Sequence, residues 1–333
     1  MNLVTPRWWY ATDRRSGSLL RLVLAPISAA WAFATARRMA QGQPVDVGVP
    51  VICVGNLTVG GSGKTPIVYE LLRRLRERGV DAHALARGHG GRLSGPVRVD
   101  PDVHSVADVG DEPLMLAQAA PAWISRDRAA GARAAVVGGA EVIVMDDGHQ
   151  NPSLKKALAL VVVDGETRGE WPFGDGAVFP AGPMREPLAK GLARADAVVV
   201  LLPIGLDRPD PGLLRLLGAR PVLIARLEPA APPPAGPQVG FAGVAKPWKV
   251  ERALKAAGCD LVDFAPLPDH ARLDERLLQA LARRADDLGA GLVTTQKDWA
   301  RLPAPWRGRI AAWPVRARFE DEAALDAMLD QAR

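Results

Sequence analysis

The stretch that decides the fold is GNLTVGGSGKTP, residues 55–66. The apolar run VPVICVGN (49–56) before it predicts a buried strand. The residues after it, 66–78, have the periodicity of an amphipathic helix that ends at Gly79. A glycine-rich turn between a strand and a helix directs main-chain N–H groups toward an anion at the positive end of the helix.

Within this stretch, TVGGSGKT (58–65) matches the phosphate-binding pattern GxxxxGK[ST], except that Thr58 stands at the first position. Lys64 would reach the β- and γ-phosphates of a nucleotide, and the Thr65 hydroxyl would bind Mg²⁺. We therefore predict that the chain uses ATP and Mg²⁺; the alternative is a tight turn that binds no ligand. The predicted nucleotide-binding residues are Thr58, Val59, Gly60, Gly61, Ser62, Gly63, Lys64 and Thr65.

A second acidic element is EVIVMDDGHQN (141–151), an apolar run that ends in Asp146 and Asp147. Carboxylates at the carboxyl end of a parallel strand lie where α/β proteins bind ligands. Oxygen ligands suit Mg²⁺, so we predict that this pair contacts the metal, directly or through water. The alternative is that one aspartate caps the following turn.

Apolar strands alternate with helices along much of the chain, with strands predicted at 80–87, 122–125, 141–148, 157–165 and 195–203. This alternation predicts an α/β fold whose parallel sheet is covered on both faces. It repeats on a smaller scale after the proline-rich stretch EPAAPPPAGP (228–237). The fold class is therefore a P-loop NTPase-type α/β/α domain with a second, smaller α/β/α domain and an N-terminal membrane-associated helix. The predicted boundaries are a membrane-associated segment at 1–40, the P-loop domain at 41–227, a hinge at 228–240 and the smaller domain at 241–333.

Composition excludes several classes of protein. With 333 residues, 48% of them hydrophobic, the chain can bury a large core. Cys53 and Cys259 are far apart and form no CxxC motif, which argues against a disulfide framework or a cysteine zinc site and fits a reducing cytosol. The aromatic residues are few and not interleaved with the basic ones, so no nucleic-acid partner is expected.

The N-terminal residues suggest contact with a membrane. Trp8, Trp9 and Tyr10 precede an apolar run at 19–36 that is flanked by arginines. Arg21 within the run weakens a bilayer span, and the pattern of an aromatic belt, an apolar helix and flanking arginines describes a segment on the cytoplasmic leaflet. The alternative is an ordinary helix packed on its own domain.

With these elements placed, the chain resembles the tetraacyldisaccharide 4′-kinases of lipid A biosynthesis. The resemblance rests on motifs that occur in order and cover nearly the whole chain beyond residue 50: GNLTVGGSGKTP (55–66), ARGHGG (86–91), VGDEPLMLA (109–117), DDGHQN (146–151), MREP (184–187), FAGVAKP (241–247), PDH (268–270) and TTQKD (294–298).

The resemblance implies transfer of the ATP γ-phosphate to the 4′-hydroxyl of a tetraacylated glucosamine disaccharide 1-phosphate, giving lipid IV-A. The expected partners are this acylated disaccharide phosphate lipid and the membrane surface, with no obligate protein partner inferred. The expected location is the cytoplasmic face of the bacterial inner membrane.

Asp111, in VGDEP, and His270, in PDH, match positions that the family pairs as a catalytic dyad. A carboxylate that orients an imidazole raises its basicity and leaves the second nitrogen to accept a proton from the substrate. Because the two residues fall in different predicted domains, we expect domain closure to assemble the site. From the residues alone, Asp111 could equally cap a helix and His270 could be structural. The predicted catalytic set is Asp111, His270 and Lys64.

Basic and polar residues supply further candidates. Arg185 is a candidate contact for the substrate 1-phosphate or the ATP phosphates, and Glu186 for the Mg²⁺ shell, with a surface ion pair as the alternative. Arg126 and Arg128 are candidate phosphate contacts that could instead lie on a solvated helix face. Two further candidates contact the substrate, His89 and Asn151, which replace the usual Tyr and His of the family.

Other departures from the family pattern are His149 for a common Phe, Ala271 for a second His and Gln296 for a usual Glu. Lys297 and Asp298 are interpreted as contributing either to domain packing or to nucleotide contact. Two other functions compete: a P-loop GTPase or ATPase that acts as a switch or metallochaperone, and a non-catalytic membrane scaffold. The switch would normally need an NKxD-type base-reading element, which TTQKD (294–298) imitates poorly.

Overall fold

The computed structural model describes residues 6–10, 18–269 and 271–333. These residues form two compact units. The larger unit consists of Pro6–Leu202, Asp207–Arg226 and Arg318–Arg333, and the smaller unit of Pro203–Leu206 and Leu227–Ala317.

The larger unit begins with a short 3₁₀ helix, Arg7–Trp9, and a long helix, α1, at Ser18–Gln41. The α/β alternation follows it. Its strands are β1 (Val51–Gly55), β2 (Ala82–Ala86), β3 (Val97–Arg98), β4 (Ala122–Ile124), β5 (Val142–Asp146), β6 (Leu158–Asp164), β7 (Ala197–Leu202) and β8 (Val222–Pro229), and its helices are α2 (Lys64–Glu77), α3 (Val106–Val109), α4 (Asp111–Leu116), α5 (Arg128–Val137), α6 (Leu188–Leu192) and α7 (Pro211–Leu217).

The smaller unit repeats the alternation. Its elements are β9 (Gln238–Ala242), α8 (Pro247–Ala256), β10 (Leu261–Pro266), α9 (Glu275–Asp287), β11 (Gly291–Thr295), α10 (Gln296–Ala300), α11 (Ala304–Arg307) and β12 (Ile310–Trp313), after which β13 (Val315–Phe319) and α12 (Glu322–Gln331) complete the chain.

In the part of the chain that the structure describes, nine strands form one sheet in the order β13-β8-β7-β6-β1-β5-β2-β4-β3. The pairs from β8 through β4 are parallel, and β3 pairs antiparallel with β4. The central strand β1 is buried along its whole length, as a sheet covered on both faces requires. Because β1 lies between β5 and β6, the loops after β1 and β5 meet at one edge of the sheet.

The second sheet has the order β10-β9-β11-β12, and its pairs are parallel. One core cluster joins β9 to helix α9 through Val239, Phe241, Leu278 and Leu281. The predicted α/β class, with a large parallel sheet and a second, smaller α/β body, is confirmed.

The alternation predicted from sequence is present, with two differences in detail. The elements missing from the prediction are short or lie in segments rich in Gly and Pro; they are strands β3 and β8 and helices α3, α6, α7, α10 and α11. The final residues also differ from the expected grouping, since Arg318–Arg333 belong to the larger unit although 241–333 was predicted as the smaller domain. The reason is a set of ion pairs by which Arg74 of α2 binds Glu322 and Asp326 of α12.

Helix α1 contains Pro26 and is long and apolar enough over Leu19–Gln41 to cross a membrane by length and composition, with a mean hydropathy of 1.6. Most of it is exposed, including Leu22 (72%) and Phe33 (68%). Trp9 and Tyr10, in contrast, are buried in the larger unit, so their interpretation as interfacial aromatics is wrong. The Trp9 ring packs inside the protein and meets Phe179 edge to face, with ring centroids 5.8 Å apart.

Candidate active site

The glycine-rich turn joins β1 to α2 and has the conformation that its glycines allow. Gly60 and Gly63 have φ angles of 101° and 79°, in the left-handed region that favours glycine. A Cβ at Gly63 would also lie 2.4 Å from Cδ2 of Leu201, so glycine is required there for space as well. The Ser62 hydroxyl in this turn is buried and forms no hydrogen bond with any described residue. The turn therefore presents main-chain and hydroxyl donors at the start of α2, as an anion site needs.

Two cations converge on Asp147 at the end of β5. Nζ of Lys64 lies 3.5 Å from Oδ1 of Asp147, and Nη1 of Arg185 lies 2.7 Å from the same oxygen. Although burial raises the pKa of Asp147, Lys64 and Arg185 outweigh it and hold this pKa well below its usual range. Asp147 itself has a left-handed φ of 52°, a conformation uncommon for a residue other than glycine and typical of functional sites.

Asp146, the preceding residue, lies in a different environment. It is 2% exposed, and its Oδ1 forms no hydrogen bond with any residue in the described ranges. Burial, reinforced by the negative charge of Glu112, raises the pKa of Asp146 to about 7. A buried carboxylate oxygen without a donor is satisfied well by a cation.

Arg185 also fixes the start of the turn. Its Nε donates to the carbonyl of Thr58 at 2.9 Å, and its own main-chain N–H donates to the carbonyl of Leu57 at 2.8 Å. The adjacent Val59 N–H donates to the carbonyl of Pro183 at 2.7 Å. The segment 183–185 is therefore hydrogen-bonded along the first residues of the turn and brings Arg185 to Asp147.

Glu186 lies beside this segment and is 3% exposed. Nη2 of Arg194 donates to its Oε1 and Oε2 at 2.5 and 2.7 Å, and Nε2 of Gln150 donates to Oε1 at 3.0 Å. Gln150 also donates to the carbonyl of Asn56, at the start of the turn, at 3.0 Å. Glu186 thus sits in a hydrogen-bonded network that runs from α6 to the glycine-rich turn.

Asp111 is the first residue of α4 and is 5% exposed. Its Oδ1 accepts a hydrogen bond from the N–H of Glu112 at 2.9 Å. His270, its predicted partner, lies outside the described residues. The pairing of the two therefore stays a prediction.

The remaining predicted substrate contacts occupy different environments. Arg128 is 3% exposed and donates to the carbonyls of Ser125 and Asp146, so its guanidinium ties the end of β4 to the end of β5. Its neighbour Arg126 is exposed. Oδ1 of Asn151 accepts from both the N–H and the hydroxyl of Ser153, and His89 lies exposed in a turn after β2.

Sequence reasoning missed three residues of this region. Gln150 stands inside the quoted motif DDGHQN (146–151) and could have been named as a ligand or a positioning group on that signal. Arg194 follows α6 in a stretch that carries no motif. Tyr10 donates from its hydroxyl to the carbonyl of Val59 at 3.0 Å, a contact across 49 residues that local sequence does not indicate.

Two sequence comparisons identify the family, and a structural comparison shows the same fold. The family model described as tetraacyldisaccharide-1-P 4′-kinase matches residues 20–333. The chain is 67% identical over 330 residues to the tetraacyldisaccharide 4′-kinase of Phenylobacterium zucineum, covering 99% of both chains, and 66% identical over 330 residues to that of Caulobacter vibrioides, covering 99% of this chain and 98% of the relative.

A crystal structure of LpxK from Aquifex aeolicus, in complex with ATP, has the same fold. It superposes with a TM-score of 0.71 at 24% identity and covers 94% of this chain and 99% of that one. The kinase resemblance drawn from the motifs is confirmed, and the switch or metallochaperone alternative is not favoured. On the family match and on the identity with curated relatives, the chain belongs to the tetraacyldisaccharide-1-P 4′-kinase family.

Proposed function

We propose that this chain transfers the γ-phosphoryl group of ATP to the 4′-hydroxyl of a tetraacylated glucosamine disaccharide 1-phosphate, forming lipid IV-A. The observation that carries the proposal is the convergence of Lys64 and Arg185 on Asp147 beside a glycine-rich turn, in a chain of this kinase family. Two positive side chains beside a helix N-terminus can take up a polyphosphate and neutralise the charge that builds up during transfer.

The turn supports ATP as the donor. Residues 58–65 bring main-chain N–H groups, the Ser62 hydroxyl and Lys64 to one place at the start of α2. The Ser62 hydroxyl is buried with no partner among the described residues, so a phosphate oxygen would satisfy it. Arg185 is the proposed second cation, and Arg126 and Arg128 are weaker proposals, since Arg128 already donates to two carbonyls.

The acidic residues at the end of β5 supply the oxygen ligands that Mg²⁺ prefers. Asp146, Asp147 and the Thr65 hydroxyl are the residues that would hold it, and the unpartnered buried oxygen of Asp146 is the feature that supports this fit. When bound, Mg²⁺ would neutralise charge on the phosphate oxygens. Glu186, paired with Arg194 and Gln150, is proposed to orient the surrounding shell.

The acceptor hydroxyl must lose a proton as its oxygen forms a bond to the γ-phosphorus and the bond from that phosphorus to the β,γ-bridging oxygen breaks, releasing ADP. We assign the acceptance of this proton to Asp111 and His270, on the family resemblance. A buried carboxylate such as Asp111 is suited to orient an imidazole rather than to take up the proton itself. His89 and Asn151 are proposed to contact the lipid.

Helix α1 supports work at a membrane surface. Its exposed apolar residues include Leu19, Leu22 and Phe33, and such a surface on a helix is stabilised by burial in the acyl region of a bilayer. We propose that the chain is held by α1 at the cytoplasmic face of the bacterial inner membrane, where its lipid substrate lies, and that it needs no obligate protein partner.

The direct test is mass spectrometry of the lipid after incubation of the full chain with ATP, Mg²⁺ and the tetraacyldisaccharide 1-phosphate. A product heavier by one phosphoryl group, placed at the 4′-oxygen by fragmentation, is expected. ATP hydrolysis at the same rate with and without the lipid would contradict the proposal and favour a nucleotide switch.

A further inference from the structure

The N-terminal residues make polar contacts with the phosphate-binding turn itself. This is unexpected for a segment whose proposed work is attachment to a membrane. Two side chains, Tyr10 and Trp31, donate hydrogen bonds to main-chain carbonyls of the candidate active site.

The first contact comes from Tyr10. Its hydroxyl donates to the carbonyl of Val59 at 3.0 Å, while the Val59 N–H donates to Pro183 at 2.7 Å, so the turn is held on both sides at this residue. Tyr10 is 8% exposed and its own carbonyl accepts from the N–H of Trp171 at 3.3 Å, so the phenol is fixed within the larger unit. Val59 is followed by Gly60, which is free to adopt many conformations unless its neighbours are fixed.

The second contact comes from α1. Nε1 of Trp31 donates to the carbonyl of Arg185 at 3.1 Å, and its ring packs on Phe179 with centroids 5.0 Å apart. The hydroxyl of Ser28, one turn earlier, accepts a hydrogen bond from the N–H of Ala181 at 3.0 Å. Helix α1 thus binds the segment that delivers Arg185 to Thr58 and Asp147.

The contacts of Tyr10 and Ser28 are separate from the exposed apolar surface of α1, whereas Trp31 is itself 46% exposed. Val23 and Ile27 are 64% and 56% exposed, whereas Ser28 is 7% exposed against the segment 175–185. One side of the helix can therefore be altered without removing the hydrogen bonds of the other. This separation makes the two roles of the N-terminal segment testable one at a time.

We propose that Tyr10 and Trp31 are positioning residues for nucleotide binding: they hold the carbonyls of Val59 and Arg185, and through them the conformation of the turn and of Arg185. The N-terminal segment thus contributes to ATP affinity in solution as well as to membrane attachment. The inference rests on the proposed function, because it concerns the same nucleotide site.

The test compares ATP affinity with membrane binding in variants of the full chain. Tyr10→Phe removes the hydroxyl donor and keeps the ring, and Trp31→Phe removes the N–H donor and leaves a smaller aromatic ring beside Phe179. Each is expected to raise the Kd for ATP–Mg²⁺ about 5- to 10-fold, the effect of one lost hydrogen bond. Binding of Tyr10→Phe to vesicles of phosphatidylethanolamine and phosphatidylglycerol is expected to stay unchanged, because Tyr10 is buried and the exposed side of α1 is intact.

Two controls match these variants. Tyr69→Phe removes the hydroxyl of the chain's other tyrosine, which also donates to a main-chain carbonyl, that of Met115. It is expected to lower Tm without changing the Kd for ATP. The double variant Val23→Ser/Ile27→Ser should show the reverse of Tyr10→Phe, with weaker vesicle binding and an unchanged Kd for ATP.

A measurement without nucleotide separates this inference from the proposed function. Amide hydrogen exchange in a peptide covering 57–63 is expected to be faster in Tyr10→Phe than in the wild type and in Tyr69→Phe. Unchanged exchange, or an unchanged Kd in both Tyr10→Phe and Trp31→Phe, would overturn the inference even if the kinase reaction is established. A wild type that phosphorylates no lipid would instead remove the proposed function, and the exchange comparison would still decide the role of Tyr10.

Discussion

Arg185 and Asp147, which are 38 residues apart in the chain, form an ion pair with 2.7 Å between Nη1 and Oδ1 at the mouth of the phosphate-binding turn. The same guanidinium donates through Nε to the carbonyl of Thr58. One side chain therefore connects the acidic end of β5 to the first residue of the turn. The charge of Asp147 is shared between this arginine and Lys64, so the same carboxylate orients both cations.

Lys64→Ala should lower phosphoryl transfer to the lipid by about 10³-fold, because it removes a preorganised positive charge that would stabilise the transition state. The fold should be kept, since Arg185 still pairs with Asp147. Steady-state kinetics with circular dichroism as the control for folding checks both parts. Activity within tenfold of the wild type would exclude Lys64 from the mechanism.

His270→Ala should lower kcat by about 10²–10⁴-fold, the range for loss of a general base, with little change in the Kd for ATP. Asp111→Asn should lower kcat as well, because a neutral amide no longer stabilises the charged imidazole. Measured together, the double variant should be no slower than His270→Ala if the two act as a unit. If the reductions in kcat of the two single variants multiply in the double variant, the proposal that Asp111 and His270 act as a unit is contradicted.

How much of this site could be predicted from sequence depends on how local each contact is. The turn at 58–65 and the acidic end of β5 were identified because glycine spacing and an apolar run act through neighbouring residues. Arg128, a candidate phosphate contact, is buried and donates to two carbonyls, because the start of α5 packs against the ends of β4 and β5. Nothing in SRDRAA (125–130) distinguishes its two arginines, since only tertiary packing makes one buried and the other exposed.

The buried position of Tyr10 was also beyond prediction. An aromatic cluster next to arginines is typical of a membrane interface, and the sequence carries no sign that the phenol reaches Val59, 49 residues away.

Asp298 is a third case, where the motif TTQKD left packing and nucleotide contact as alternatives. In the structure it is fully buried and accepts from the N–H of Gly243 and the hydroxyl of Thr295, which favours packing within the smaller unit.

Asp298→Ala should lower the free energy of unfolding by about 3 kcal/mol, because it leaves Arg301, the buried Gly243 N–H and the partly buried Thr295 hydroxyl without their acceptor. Asp263→Ala is the matched control, since Asp263 pairs with the half-exposed Arg284 and should cost about 1 kcal/mol or less. Urea unfolding, monitored by tryptophan fluorescence, measures both. Equal decreases in the free energy of unfolding in the two variants would mean that Asp298 has no special role in the core.

Arg74→Ala should destabilise the larger unit by about 2–3 kcal/mol, because Arg74 is 8% exposed and binds Glu70, Glu322 and Asp326. Its neighbour Arg73 is the control: its side chain is 51% exposed, so Arg73→Ala should cost less than about 1 kcal/mol. Chemical denaturation at low and high salt distinguishes them. If Arg73→Ala lowers the free energy of unfolding as much as Arg74→Ala does, burial of the ion pairs is not what stabilises α12.

His83 should make the fold sensitive to acid. Burial lowers the pKa of His83, and its Nδ1 accepts a hydrogen bond from Nε1 of Trp123 at 3.1 Å, so the folded protein favours the neutral ring. The unfolded chain takes up the proton below a pH of about 6.5, so the stability due to His83 is present above that pH and is lost as the pH falls toward the lowered folded pKa. His83→Gln keeps an acceptor for Trp123 and should flatten the decline of Tm between pH 7 and pH 5. An unchanged decline would assign the acid sensitivity to other groups.

The return of Arg318–Arg333 to the larger unit has a consequence for biosynthesis. Strand β13 forms one edge of the nine-stranded sheet, and α12 is fastened to the helix that follows the phosphate-binding turn. Both are translated after the smaller unit, so the nascent chain cannot complete the larger unit before the smaller unit has been synthesised. A stop codon that removes α12 would leave Arg74 of α2 without Glu322 and Asp326.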